Sequence, residues 1–396
     1  MDYQSDICVI GNGAIGKVAA LGFAQAGHSV VLVRPLSAAA VNTDPNAWDT
    51  RVYALNHVAR DLLASVRVWD ALDASRIAPV DSMAVHGDAG GKGGELEFDA
   101  YGARVDALAW IVEDANLNRA LDAALQFASN VRIVEGQSSE LQLAPEDATV
   151  KLQDGSVLRA SLVIGADGAQ SWVRAQCDID IEYRPYGQRA VVANFACAQP
   201  HHGVAHQWFS ATEGVIALLP LPGQRVSLVW SAPEALAATL LQESQSAMAQ
   251  RLALYCADTL GALTPLQPEV AQGLPLQFLR AKEITASRVA LVGDAAHVVH
   301  PLAGQGMNLG FADVAALLAT IVAREPHRDC GDARILGRYA RARKEPVLLM
   351  QIATDGLERL FASDIEPLRL ARNLGMNLLD RAPFLKRRLI AQALGK

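Results

Sequence analysis

Two stretches of this chain hold residues whose types and spacing suit contact with an anion or the electron-rich edge of a ring. In one, a Val-rich run (Val289 to Val292) closes on Gly293-Asp294, His297 follows, and His300-Pro301-Leu302-Ala303-Gly304-Gln305-Gly306 leads into an apolar segment from Met307. The order reads as strand, loop, helix. An acidic side chain ends the strand, and glycines leave the amides of Gly304 through Asn308 bare at a helix start. Such amides can approach an anion or the electron-rich edge of a ring. Asp294 can hold hydroxyl groups, and Pro301 stiffens the loop. His297 and His300 read either as acid–base groups or as hydrogen bonders that hold the loop.

In the other, Gly11-Asn12-Gly13-Ala14-Ile15-Gly16 stands between a strand at Ile7–Ile10 and a helix carrying Val18, Ala19, Leu21, Gly22 and Ala26. Gly27 ends that helix, and Ser29 to Val33 form the next strand. This strand–helix–strand frame is the context a G-x-G-x-x-G signature needs. Gly11 makes the turn, Gly13 lets the backbone approach a pyrophosphate, and Gly16 lets helix and strand pack closely. The acid that ordinarily holds a ribose about 20 residues further on is absent: the strand ends Val33-Arg34-Pro35.

Two further groups lie between these motifs. Leu162 to Ile164 read as a strand running into Gly165-Ala166-Asp167-Gly168, with Ser171 to Arg174 starting another element. Asp167 can cap that element and Gly168 can take a positive φ. The segment is either a capped turn or a ligand contact. Arg51 precedes an expected helix bearing Leu55, Val58, Leu62 and Leu63, and residues 110–125 read as a further amphipathic helix.

The elements that must position these residues fill a chain of 396 residues, enough for two or three domains. It is 51% hydrophobic and 19% charged, with a net charge of −7 that argues against nucleic-acid binding. No run approaches a membrane-spanning length. The first strand belongs to the glycine motif, so no signal peptide is expected. Cys8, Cys177, Cys197, Cys256 and Cys330 form no C-x-x-C pair, which argues against a metal site or disulfide framework and fits a reducing cytosol. Arg189–Ala198, His206–Phe209, Val215–Leu219 and Arg225–Trp230 read as strands with short connections, hence an antiparallel sheet. The Gly-rich stretch 78–100 (Gly87, Gly90, Gly91, Gly93, Gly94) is expected to join it. Residues 236–260 and 346–396 read as helical. From Pro367 onward Arg369, Arg372, Arg381, Lys386, Arg387, Arg388 and Lys396 face the single acid Asp380 among many leucines. That is either a membrane-surface helix or a packed helix with solvated charges.

The three motifs, in this order and at these separations, resemble the group A flavin monooxygenases of the para-hydroxybenzoate hydroxylase fold. The narrower likeness is to the ubiquinone-biosynthesis hydroxylases. It is carried by Asp49-Thr50-Arg51 with Trp69-Asp70-Ala71-Leu72, by Gly165 through Ser171, and by Gly293 through Gly310. The resemblance covers nearly the whole chain. It implies an α/β fold: an FAD-binding Rossmann-like domain (1–76, 101–181, 275–345), an inserted, mainly antiparallel β-sheet substrate domain (77–100, 182–274) and a helical C-terminal region (346–396).

The activity it implies is hydroxylation of a phenol ring. NAD(P)H visits transiently, FAD is the cofactor, and O2 reacts through a flavin C4a-hydroperoxide. The substrate expected is a polyprenyl phenol. Gly11, Gly13, Ala14, Ile15, Gly16, Arg51, Asp167, Gly168, Gly293, Asp294, Pro301, Gly304, Gly306, Met307 and Asn308 are then expected flavin contacts. Pro301, Gly304, Gln305 and Gly306 form the loop that positions the reacting ring. The two histidines become loop supports. The resemblance also implies a cytoplasmic protein peripheral to the inner membrane, with other ubiquinone-biosynthesis proteins as partners. Two alternatives stand beside it: a hydroxylase of a small soluble phenol, and a low-turnover flavin-binding scaffold in a biosynthetic assembly. A halogenase is disfavoured, because none of the six tryptophans forms a W-x-W pair.

Overall fold

The computed structural model describes residues 1–35, 47–87, 94–266 and 269–362. Gly90, Gly91, Gly93 and the chain beyond Ala362, with its basic stretch from Pro367, lie outside the described residues.

β1 (Asp2–Ile10) leads into α1 (Ala14–Gln25) and returns as β2 (Val30–Arg34). Ile7, Cys8, Val9 and Ile10 are all buried, as a central parallel strand covered on both faces requires. Next come β3 (Val52–Leu55) and α2 (His57–Ser65). The helix expected directly after Arg51 therefore begins only at His57. Val52-Tyr53-Ala54-Leu55 instead pairs as a strand, and Asn56 caps the helix by accepting from the Ala59 amide at 3.0 Å.

β4 (Ile77–Val80), β5 (Ser82–His86) and β6 (Glu95–Asp99) follow, then α3 (Ala100–Ala103), β7 (Ala109–Glu113) and α4 (Asp114–Phe127). The helix expected over 110–125 is likewise divided. Trp110-Ile111-Val112 is an apolar run whose period does not separate strand from helix. Pairing with β3 and β4 decides for strand, in a three-stranded sheet ordered β3-β7-β4.

β8 (Val131–Glu135), β9 (Ser138–Leu143), β10 (Ala148–Leu152) and β11 (Val157–Gly165) complete most of the first large sheet, and α5 (Trp172–Gln176) follows. The second large sheet takes β12 (Ile181–Cys197), β13 (Val204–Ser210), β14 (Gly214–Leu221) and β15 (Arg225–Pro233). The helical stretch expected over 236–260 is two helices, α6 (Glu234–Gln242) and α7 (Gln245–Leu260). Ser244 separates them, its side chain accepting from the Ala247 amide as an N-cap. β16 (Leu263–Pro265), β17 (Gln272–Ala281), β18 (Thr285–Ala286), β19 (Val289–Leu291) and β20 (His297–Val298) precede α8 (Gln305–Val322) and α9 (Ala333–Ala362).

The first sheet runs β18-β19-β11-β1-β2-β8, with β19, β11, β1, β2 and β8 parallel to one another and β18 and β10 antiparallel at its margins. α1, α4 and α8 share one apolar core with it. The second runs β20-β17-β12-β15-β14-β13-β5-β6 and is antiparallel except where β5 pairs with β13. β5 and β6 thus join the second sheet as the Gly-rich stretch led one to expect, while β4 does not. β17 pairs along β12, so the division expected at residue 275 falls inside a strand of the second sheet. α6 and α7 cover that sheet's outer face through Trp208, Trp230, Met248 and Leu252. The other face packs in part on β4 and β7 of the three-stranded sheet and in part borders the cavity described below. Mixed α/β architecture with a Rossmann-like sheet, an inserted antiparallel sheet and a helical end is the fold observed.

Candidate active site

β19, β11 and β1 are neighbours in a parallel sheet, so the turns that follow them emerge along one edge. Each turn carries one of the three motifs. The Ala166 amide donates to the Ile10 carbonyl at 2.8 Å, and the Val292 amide donates to the Gly165 carbonyl at 3.0 Å. Segments far apart in sequence thereby meet at the carboxyl ends of adjacent strands, the place where open α/β sheets bind ligands.

Gly11 makes this meeting possible. Its φ is +128°, and a Cβ there would lie 2.2 Å from the Ala166 carbonyl oxygen. Gly16 serves packing only: a Cβ would sit 2.2 Å from the Gly11 carbonyl oxygen. At Gly13, Gly168 and Gly306, by contrast, an added Cβ would meet no atom within 4 Å. These three open onto a cavity of about 2040 Å³.

Every expected site residue except Gly16 borders that cavity: Gly11, Gly13, Ala14 and Ile15; Arg51; Asp167 and Gly168; Gly293 and Asp294; Pro301; and Gly304 through Asn308. Arg34 does not. It forms an ion pair with Glu135 at the matching position of β8. Beside Val33 and Pro35 the wall is made instead by Asn118, Gly136, Gln137 and Ser138, and the Ser138 hydroxyl is buried without a partner.

The helix starts need correction in detail. Gly304, at φ +64°, is the N-cap of α8, and its own amide donates to the Pro301 carbonyl at 2.9 Å. Asn308 is the first residue placed to use its amide within the helix. The amides of Gly306 and Met307 are therefore those that α8 leaves without an intrahelical acceptor, a narrower set than Gly304 to Asn308. The Asn308 side chain stitches α8 to the β3–α2 corner, donating to the Ala54 carbonyl at 2.9 Å and accepting from the Asn56 amide at 3.0 Å.

Neither histidine borders the cavity. His297 is buried and its Nε2 lies 2.7 Å from Asp313 Oδ2, while Arg343 Nε lies 2.6 Å from Oδ1 of the same carboxylate. Burial pushes Asp313 upward, but His297 and Arg343 outweigh it and hold the carboxyl below its ordinary range. The Gly293 amide also donates to Asp313, at 2.9 Å, so this buried cluster anchors the turn that presents Asp294. His300 is fully buried, its Nε2 3.0 Å from Gln188 Oε1, and burial pushes its pKa down to about 4. It is a neutral ring behind Pro301.

Facing the cavity, Asp294 is raised above the usual carboxylate range by its partial enclosure, against the pull of His297 and Arg51. Enclosure works against the charge of Arg51, and Tyr53, Asp114, Asp294 and Asp49 more than offset it. Tyr53, absent from the sequence expectations, borders the cavity and donates to Asp114 at 2.7 Å. Asp313 and Arg343 were equally invisible: nothing local marks a charge on an interior helix face as a turn support.

The residues fit FAD. α1 and α8 both begin at the cavity without a side-chain cap. The Asp167 Oδ2 atom caps α5 through the Val173 amide at 3.0 Å, and its Oδ1 is buried with no partner. The three Cβ-free positions outline a continuous groove between them. Among the described residues no cluster of His, Cys, Asp and Glu could hold a metal ion.

Residues 4–350 match the FAD binding domain family. The chain is 34% identical to the "Ubiquinone hydroxylase UbiL" of Rhodospirillum rubrum over 404 residues, covering 100% of this chain and 90% of the relative. It is 33% identical to the "3-demethoxyubiquinol 3-hydroxylase" of Escherichia coli over 393 residues, covering 99% and 98%. Among solved structures, p-nitrophenol 4-monooxygenase PnpA of Pseudomonas putida DLL-E4 superposes with a TM-score of 0.78 at 19% identity, covering 100% of this chain and 99% of that one, a likeness of fold.

Proposed function

This chain belongs to the family of the ubiquinone-biosynthesis hydroxylases, FAD-dependent monooxygenases of the para-hydroxybenzoate hydroxylase fold, and from that premise we propose that it hydroxylates a polyprenyl phenol. It is a flavin-dependent aromatic-ring monooxygenase.

One observation carries the substrate class. Beyond the flavin groove the cavity continues as a second arm across the inner face of the nine-stranded sheet, walled by Met83, Val85, Phe98, Phe209, Leu219 and Leu276. Leu357, Leu360 and Phe361 of α9 also border it, with Phe361 stacked on Phe209. An arm so apolar favours a long hydrocarbon tail over a small soluble phenol, at roughly 0.8 kcal/mol per buried methylene.

Bound FAD, reduced by NAD(P)H, would supply activated O2 for transfer of one oxygen atom to the ring. The chain's own residues do the rest. The α1 start, with Gly11, Gly13, Ala14 and Ile15, takes the pyrophosphate, and Asp167 and Gly168 lie beside it. Gly16 acts behind them by closing the helix onto the strand. Asp294 holds ribityl hydroxyls and Arg51 offsets phosphate charge. Gly306 and Met307 aim their amides where negative charge develops on the flavin edge. Pro301, with Gly293, Gly304, Gln305 and Asn308, fixes that loop, and the apolar arm keeps water from the reacting ring.

In this reading 1–76, 101–181 and 275–345 serve the cofactor, 77–100 and 182–274 the substrate, with β17 at the seam, and 346–396 are the C-terminal region, of which α9 borders the arm. The enzyme then works in the cytoplasm against the inner membrane, beside other ubiquinone-biosynthesis proteins. The exposed Leu348, Leu349, Ile352 and Leu357 of α9 support a lipid-facing mouth.

The test is FAD-loaded protein with NAD(P)H and either geranylphenol or phenol. Geranylphenol is expected to stimulate NAD(P)H oxidation with a KM at least about a hundredfold lower and to gain one oxygen atom by mass. Equal response to both would favour the soluble-phenol reading. A loaded chain stimulated by neither would leave the scaffold reading.

A further inference from the structure

Gln207 on β13 and Ser231 on β15 are polar side chains that the flavin site does not use. They are 5% and 4% exposed. Neither side chain hydrogen-bonds to another described residue, and their polar ends are not sealed from solvent but open to the cavity. Both border the cavity.

The register fixes which way they face. Trp208 and Trp230, next to them in sequence, lie in the core under α6 and α7. Successive strand residues alternate in face, so Gln207 and Ser231 project to the opposite side, into the apolar arm. Gln207 pairs with Ala217, which pairs with Val229; Val215 pairs with Ser231. The two polar ends therefore bound a floor of small apolar side chains. Val215 and Phe209 also touch Leu302 of the flavin loop, so this floor adjoins the place where the ring must react.

Two strand spacings and two residues separate Gln207 from Ser231, about 12 Å at the backbone. The para oxygens of a six-membered ring, about 5.5 Å apart and each extended by a hydrogen bond of about 2.8 Å, span about 11 Å. We propose that Gln207 and Ser231 bind the two opposite oxygens of the substrate ring, and that the arm selects a para-dioxygenated, hydroquinone-type ring over a monophenol. This rests on the hydroxylase reading above and sharpens its substrate class.

Binding to the FAD-loaded chain, read anaerobically from the flavin absorption band, tests it with geranylhydroquinone, geranylphenol and geranylbenzene. Gln207→Met and Ser231→Ala are each expected to weaken geranylhydroquinone about tenfold and to leave geranylbenzene within about twofold. Geranylphenol, with one oxygen, should respond to one substitution and not to the other. Equal weakening of geranylhydroquinone and geranylbenzene would mean lost packing and would overturn the proposal, as would unchanged geranylhydroquinone binding in either variant, or a geranylphenol response to both substitutions or to neither. Failure of the broader reading looks different: the unsubstituted, FAD-loaded chain would bind none of the three probes, which overturns both.

Discussion

His300 is the ring in this site whose charge is set most completely by burial. Its folded pKa of about 4 lies below the ordinary value of 6.5. Between those values the unfolded chain takes up a proton that the folded chain refuses, so stability falls as pH drops from about 6.5 to 4 and is untouched above. For a fully buried ring the loss approaches about 3 kcal/mol. His300→Asn keeps a side chain able to meet Gln188 and removes the titration. Urea unfolding of the FAD-loaded protein at pH 7.5 and pH 5 should show a shallower decline in the variant. Superimposable declines would mean that His300 accepts its proton without penalty. The histidines were conspicuous in the sequence, yet which of them could do acid–base work was not legible there. Both face away from the cavity, and that orientation depends on Asp313, Arg343 and Gln188, contributed by other elements.

At the scale of elements, the start of α8 carries the site. Gly306 and Met307 present their amides there, and open space lies over Gly306. A methyl group there fits, whereas an indole would fill the groove. Gly306→Ala should retain FAD close to full occupancy, and Gly306→Trp should fold with the same far-ultraviolet circular dichroism and lose it. The flavin-to-protein absorbance ratio after gel filtration checks both; normal occupancy in the Trp variant would remove this helix start from the flavin site. The glycine motifs were legible because backbone constraint and residue type coincide there. Residues 52–55 and 110–113 were not. Their apolar runs suit helix or strand equally, and only the pairing of β3, β4 and β7 across the sequence resolves them.

For the whole molecule, the cavity reaches α9, which exposes Leu348 and Ile352 beside the cavity-lining Leu349 and Leu357, and the sequence continues into the basic residues beyond Pro367. Among the described residues only α8 is long and apolar enough to cross a membrane, but it packs on α1 and α9 and begins at the cavity. Surface attachment is the geometry this supports. The full chain should float with liposomes containing anionic lipid, and the chain cut after Glu366 should float less while keeping its FAD. Unchanged flotation of the shortened chain would remove the membrane role from residues 367–396.

The sequence by itself determined the cofactor and the motifs that border the cavity, because glycines, a strand-end acid and a Pro-rich loop report backbone geometry locally. Only the tertiary structure decided the rest. It turned Arg34 toward Glu135, took the histidines out of the cavity, and set Gln207 and Ser231 on one apolar floor. Those outcomes depend on which side of a strand faces inward and on partners far away in the chain. No local pattern records either.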